Sequence, residues 1–171
     1  METDVLSKLS KEQLEELVRT YARNMLALDG VWFQSIEQKL GMDEAMLHDA
    51  RAWERFTVIE ARRIKKFLGL PEYAGLGGLK KALSLRFYAN INEDEAILRG
   101  NTLLYRTLSC RVQNARARKN MEFHPCKPVG EIEYAGFART IDPRVTCTCV
   151  SCYPQITDDT CACSWLFTLH E

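Results

Sequence analysis

The hydrophobic period of this chain changes near Leu85, and that change limits the fold more than any motif does. Before it, apolar residues recur at helical spacing over long stretches. Ser10 and Gln13 form an S-x-x-Q capping box, followed by Leu14, Leu17, Val18 and Tyr21, so a first helix is predicted to about Leu28. Asp29-Gly30 reads as a break, with Asp29 capping a second helix that carries Trp32, Phe33, Ile36 and Leu40 and ends at Gly41. A third, long helix is predicted from Met42-Asp43. Its inward stripe is Met46, Ala50, Trp53, Phe56, Ala61, Ile64 and Phe67, and Gly69 with Pro71 stops it. A loop and a short helix fill Ala74 to Leu83.

Beyond Leu85 the apolar runs are short and alternate. Arg86 to Ile91 alternates weakly, and Glu95 to Arg99 and Thr102 to Leu108 flank Gly100-Asn101, a pair suited to a tight hairpin. Cys110 to Lys119 returns to helical composition. A loop with Pro125 and Pro128 leads to a short helix near Glu131 to Ala138, and two strand-like runs, Val145 to Cys152 and Cys161 to Leu169, close the chain. Helices first and an antiparallel sheet with inserted helices afterwards make an α+β fold: an N-terminal helical layer packed on a C-terminal sheet. With 171 residues and no linker or repeat, the expectation is one domain, residues 1–171, with a helical half (1–84) and a cysteine-bearing sheet half (85–171).

Composition excludes several function classes. The 23 basic residues balance 23 acidic ones, and from Val145 onward there is no Lys or Arg, so no nucleic-acid partner is expected. No apolar run approaches the roughly 18 residues that span a bilayer, and the Met1-Glu2-Thr3-Asp4 start is too acidic for a signal peptide, so no membrane partner is expected. A cytoplasmic location follows as the expectation; the oligomeric state is not legible.

The seven cysteines begin at Cys110 and continue with Cys126, Cys147, Cys149, Cys152, Cys161 and Cys163. In a reducing compartment these persist as thiols. If the two terminal strands turn their apolar faces inward, Cys147, Cys149, Cys161 and Cys163 share one side of a hairpin. A flat strand, however, sets residues i and i+2 about 6.5–7 Å apart, whereas sulfurs on one zinc stand about 3.8 Å apart. Cys147 and Cys161 therefore read as small buried hydrophobes. Cys149 and Cys152, with Cys161 and Cys163, form a C-x2-C-x8-C-x-C pattern whose second half has the wrong spacing for a zinc knuckle. A second arrangement draws Cys110, Cys126, Cys152 and Cys163 from four separate elements as ligands or nucleophile. Cys110 stands at the start of an Arg-rich helix, where the backbone dipole and Arg111 favour a thiolate, and Cys126 sits between two prolines beside Lys127.

Three other features carry chemistry. Arg106, Arg111, Arg116, Arg118 and Lys119 form a basic run without an acid; they suit either a clamp on a small anion or a solvated helix face. Glu60 falls on the apolar stripe of the third helix, either as a general acid or base or as a partner for an arginine. His124, two residues from Cys126, is the one histidine placed to form a Cys–His pair.

The segment Asp29-Gly30-Val31-Trp32-Phe33-Gln34-Ser35-Ile36-Glu37, with Ala52-Trp53-Glu54-Arg55-Phe56 and Ile59-Glu60-Ala61-Arg62-Arg63-Ile64, resembles an uncharacterised prokaryotic family common in anaerobes whose members are labelled only "cytosolic protein". Cys110-Arg111-Val112-Gln113, Ala115-Arg116, Pro125-Cys126-Lys127 and Cys163-Ser164-Trp165 extend the resemblance over nearly the whole chain. More distantly, the layout is similar to the L-2-amino-thiazoline-4-carboxylate hydrolase-like family, which implies hydrolysis of a small C–N-containing ring, although that family's catalytic residues do not map onto positions here. Three readings follow. The first is a cysteine-rich binding domain for a soft metal, zinc or iron–sulfur, held by Cys110, Cys126, Cys152 and Cys163, or for a small anionic ligand met by Arg111 and Arg116. The second is a thiol-dependent hydrolase with Cys110 or Cys126 as nucleophile, His124 or Glu60 as base and Arg116 orienting a substrate carboxylate. The third is a structural domain with inert buried thiols.

Overall fold

A computed structural model describes residues 4–171; Met1, Glu2 and Thr3, which belong to the acidic start, lie outside them. The capping box forms as predicted: Ser10 Oγ accepts from the Gln13 amide at 3.2 Å and Gln13 Oε1 accepts from the Ser10 amide at 2.8 Å. It opens α1 (Lys11–Leu40), which runs through Asp29-Gly30 without interruption. The expected break there is corrected. One interior glycine costs a helix only about 1 kcal/mol, and the packing of Phe33, 5% exposed, against the His124 ring offsets it. Asp29 therefore lies inside α1 rather than capping a second helix.

The second helix, α2 (Met42–Phe67), turns inward Ala45, Asp49, Trp53, Thr57, Glu60, Ala61 and Ile64. Phe67, expected inside, is 81% exposed. The stripe differs from the predicted one because three of its members are polar: Thr57 donates to the Glu133 carbonyl at 2.8 Å, while Asp49 and Glu60 find partners described below. After α3 (Gly75–Leu83) comes a turn with a short 3-10 helix at Tyr88–Asn90, not the weak strand expected for Arg86 to Ile91. The alternation there reflects aromatic packing, since Phe87 and Tyr88 stack on Trp53 with ring centroids 6.0 and 5.5 Å away.

The hairpin β1 (Glu93–Arg99) and β2 (Thr102–Ser109) turns at Gly100, whose φ of 54° is one that glycine adopts without strain. Cys110 caps α4 (Arg111–Arg118), and α5 (Lys127–Ile141) starts at Cys126, one turn earlier than predicted, with Pro128 in the first turn, where no amide is needed. β3 (Val145–Cys152) and β4 (Cys163–Leu169) complete a four-stranded antiparallel sheet of order β1-β2-β4-β3. α5 packs on the sheet and α2 packs on α5, with α1 against α2. Leu79, Leu83, Leu103, Phe137, Ile141 and Phe167 form the core between them. No described helix is long and apolar enough to cross a membrane.

A bulge between Cys149 and Ser151 sets Cys152 opposite Cys163. Cys161 precedes β4, with its sulfur 3.5 Å from the Asp158 carboxylate. The expected four-cysteine face is thus corrected. The bulge brings Cys152 into register with Cys163, and Cys161 turns into the loop.

Candidate active site around Cys126

The loop between α4 and α5 is held by one side chain. Gln113, one turn into α4, accepts from the His124 amide at 3.1 Å and donates to the His124 carbonyl at 2.8 Å. The same amide nitrogen lies 3.2 Å from Cys126 Sγ. The Cys126 amide donates to the His124 carbonyl at 2.8 Å, folding the prolyl segment so that the His124 ring and the Cys126 thiol face each other. His124 Nδ1 stands 3.1 Å from Cys126 Sγ, and Nε2 stands 3.2 Å from Asp49 Oδ2. Asp49 comes from α2, 75 residues earlier, and is 5% exposed. With the carboxylate accepting, the Nε2 proton is fixed and Nδ1 is left free to take the thiol proton. Phe33 packs on the imidazole with ring centroids 4.7 Å apart. Cys126 is also the N-cap of the 15-residue α5, so the start of that helix fixes its backbone.

This trio opens on a cavity of about 360 Å³ between α1, α2, α4, α5 and the sheet. Trp53, Tyr88, Tyr134 and Trp165 supply aromatic wall, and Arg23, Arg111, Arg118 and Lys119 supply positive charge. Cys110, Cys126, Cys152 and Cys163 all line it. Cys152 is the cross-strand partner of Cys163, and Cys126 lies on the same cavity wall. The Cys126 thiol, above all, and burial push the Cys152 thiol well up; the Cys152 thiol and burial do the same to Cys163. The indole N–H of Trp165, buried at the cavity wall, has no hydrogen-bond partner among the described residues. Among the described residues no group of three or more His, Cys, Asp or Glu is arranged to hold a metal ion.

Cys110 departs from the expectation of a favoured thiolate. Burial raises its thiol above the usual range, and the amides of Gln113 and Val112 at the start of α4 offset only part of that. Burial likewise raises Cys147 to about 12 and lifts Cys149 and Cys161. Arg111 lines the cavity. Arg116 is 4% exposed and both terminal nitrogens donate to Glu37, at 2.9 and 2.6 Å, while Nε donates to the Glu122 carbonyl; its charge braces α4 against α1. Glu60 lies away from the cavity, accepting from Arg86 Nε at 2.9 Å and from the Phe87 amide at 3.0 Å. The other end of Arg86 pairs with Glu133, a cavity residue.

Sequence reasoning missed Asp49, Gln113 and Asp29. Asp49 carried the same signal as Glu60, a carboxylate on an apolar stripe four residues before Trp53. Gln113 stood only within the Cys110-Arg111-Val112-Gln113 resemblance, with nothing to mark its side chain for the site. Asp29 lines the cavity, and burial together with Asp49 and Glu133 pushes its carboxyl up to about 7. No curated protein and no solved structure matches the chain. The model of a family of unknown function (DUF6125) matches residues 7–169, nearly the full length, and the chain belongs to that family.

Proposed function

We propose that the chain is a cysteine-dependent hydrolase or acyl transferase acting on a small molecule, with Cys126 as nucleophile, His124 as base and Asp49 orienting the imidazole. The observation that carries this reading is the continuous Cys126–His124–Asp49 contact at 3.1 and 3.2 Å, on the wall of a cavity of ligand size. His124 Nδ1 takes the thiol proton as the sulfur attacks the electrophilic carbon of an acyl or C–N group. The imidazolium then returns that proton to the departing nitrogen or oxygen as the C–N or C–O bond breaks. Water, deprotonated by the same imidazole, cleaves the thioester and restores the thiol. Gln113 is a positioning residue, since it holds both His124 and the Cys126 sulfur.

Arg111, with Arg23, Arg118 and Lys119, gives the cavity a positive side suited to a substrate carboxylate. The distant likeness to the thiazoline-carboxylate hydrolase-like family favours a C–N bond as the one broken. Seven unpaired thiols fit a reducing compartment, which we take to be the cytoplasm. The sulfurs enter this reading as a nucleophile and its neighbours rather than as a metal's ligand set.

The test is acetylation by p-nitrophenyl acetate, followed by peptide mapping. Cys126 is expected to be acylated first, with the adduct absent in Cys126→Ala and formed at least tenfold more slowly in His124→Ala, for loss of general-base assistance. Equal labelling of Cys149, or an unchanged rate in His124→Ala, refutes the assignment.

A further inference from the structure

Over its 30 residues α1 buries only Ala22 and Phe33. These two, eleven residues apart, share one side of the helix, where Phe33 meets the His124 ring. A second apolar row runs along the same helix: Leu14, Val18, Tyr21, Met25, Leu28 and Trp32, spaced alternately by four and three residues. At about 100° per residue this row lies roughly a quarter-turn from the buried one. Every member is at least 36% exposed, and Leu28 reaches 68%. Scattered exposed apolar residues need no explanation, but an unbroken 4-3 row over three heptads is the pattern by which helices supercoil on one another.

We propose that this row is the interface of a homodimer in which α1 pairs antiparallel with α1 of a second copy. Three observations select a second copy as the occupant. The first is area: from their exposures the six side chains present on the order of 700 Å² per copy, so a symmetric pair can bury up to about 1,400 Å², which reaches the roughly 1,200–2,000 Å² of stable interfaces.

The second is self-complementarity. In the register centred on Arg23, Leu14 meets Trp32, Val18 meets Leu28 and Tyr21 meets Met25 of the other copy, so a large side chain faces a smaller one in the outer pairs. The two helix dipoles also oppose. A parallel pairing instead sets Trp32 on Trp32 and Tyr21 on Tyr21.

The third is charge. The Glu15, Glu16, Arg19 and Arg23 ion pairs occupy another side of the helix. Gln13, Thr20 and Asn24 border the row on its outer side, so no like charges meet there. Pairing also supplies what the first turns of α1 lack, since an isolated helix of that length is marginal in water. This inference stands independently of the Cys126 chemistry.

The test is sedimentation of the full chain across micromolar concentrations, with circular dichroism to confirm the fold. The wild type is expected as a dimer and Leu28→Glu as a folded monomer that loses helical signal only from the first turns of α1. The double variant Val18→Lys/Leu28→Glu, which in the antiparallel register sets opposite charges face to face, is expected to dimerise more strongly than either single variant. A monomeric wild type overturns the proposal, and if that monomer sediments with lipid vesicles the row belongs to a membrane surface instead. A dimer unaffected by Leu28→Glu overturns the interface. A double variant no better than the singles overturns the antiparallel register.

Discussion

Gly130 lies where α5 crosses the sheet, and a Cβ added there would stand 2.6 Å from both Cη2 and Cζ2 of Trp165. Ordinary carbon contacts are about 3.5–4.0 Å, so Gly130→Ala demands a movement of roughly 1 Å. Neither side yields easily. Trp165 is 1% exposed and stacks on Tyr134 with ring centroids 4.7 Å apart. On its far side α5 is already tight, because a Cβ at Gly136 would meet Thr57 Cγ2 at 2.9 Å.

Overpacking of this kind costs about 1–3 kcal/mol, and the backing on both sides places this case at the upper end. The gain in helix propensity returns about 1 kcal/mol. The net loss of about 1–2 kcal/mol corresponds to a Tm lower by about 2–8 °C for a chain of this length. Gly77→Ala is the control: that glycine is on α3 with no atom within 4 Å of an added Cβ, so propensity acts alone and Tm rises by about 1–4 °C. Thermal unfolding of both variants reads the difference. Because Cys126 starts α5, Gly130→Ala should also slow alkylation of that thiol. A Gly130→Ala protein that melts at or above the wild-type temperature refutes the packing argument.

Two further predictions concern buried charge. Asp29, with its carboxyl at about 7, holds a proton in the folded state at pH values where the unfolded chain has lost it, so its penalty is absent below about pH 4 and complete above about pH 7. Asp29→Asn is therefore expected to stabilise the protein at pH 8 by up to about 4 kcal/mol and to change little at pH 4, read from denaturant unfolding at the two pH values; equal effects at both would contradict the burial of that carboxyl. Arg86, 1% exposed, joins Glu60 to Glu133. Arg86→Met should cost about 3–5 kcal/mol at neutral pH by leaving buried carboxylates unpaired, and part of the loss should return on acidification as Glu133, already raised by burial, takes up a proton. A loss independent of pH would show that shape, not charge, is what Arg86 provides.

Local signals were legible in the sequence wherever one segment decides its own conformation. The Ser10 capping box, the Gly100 turn, the paired terminal strands and the α+β order all rest on neighbours in the chain, and the structure shows each of them. Where packing outweighs local preference the reading failed: α1 carries through Asp29-Gly30, and Arg86 to Ile91 makes a turn beneath Trp53 rather than a strand. The Cys126–His124 pair was readable because they stand two positions apart, whereas Asp49 is 75 positions from His124, and only the packing of α2 beside the prolyl loop makes them neighbours. Sequence by itself thus determined which elements form and which residue types are present for chemistry. Tertiary structure decided which of seven thiols meets a base, because a distance between atoms far apart in the chain depends on how whole elements pack and not on any residue's own preference.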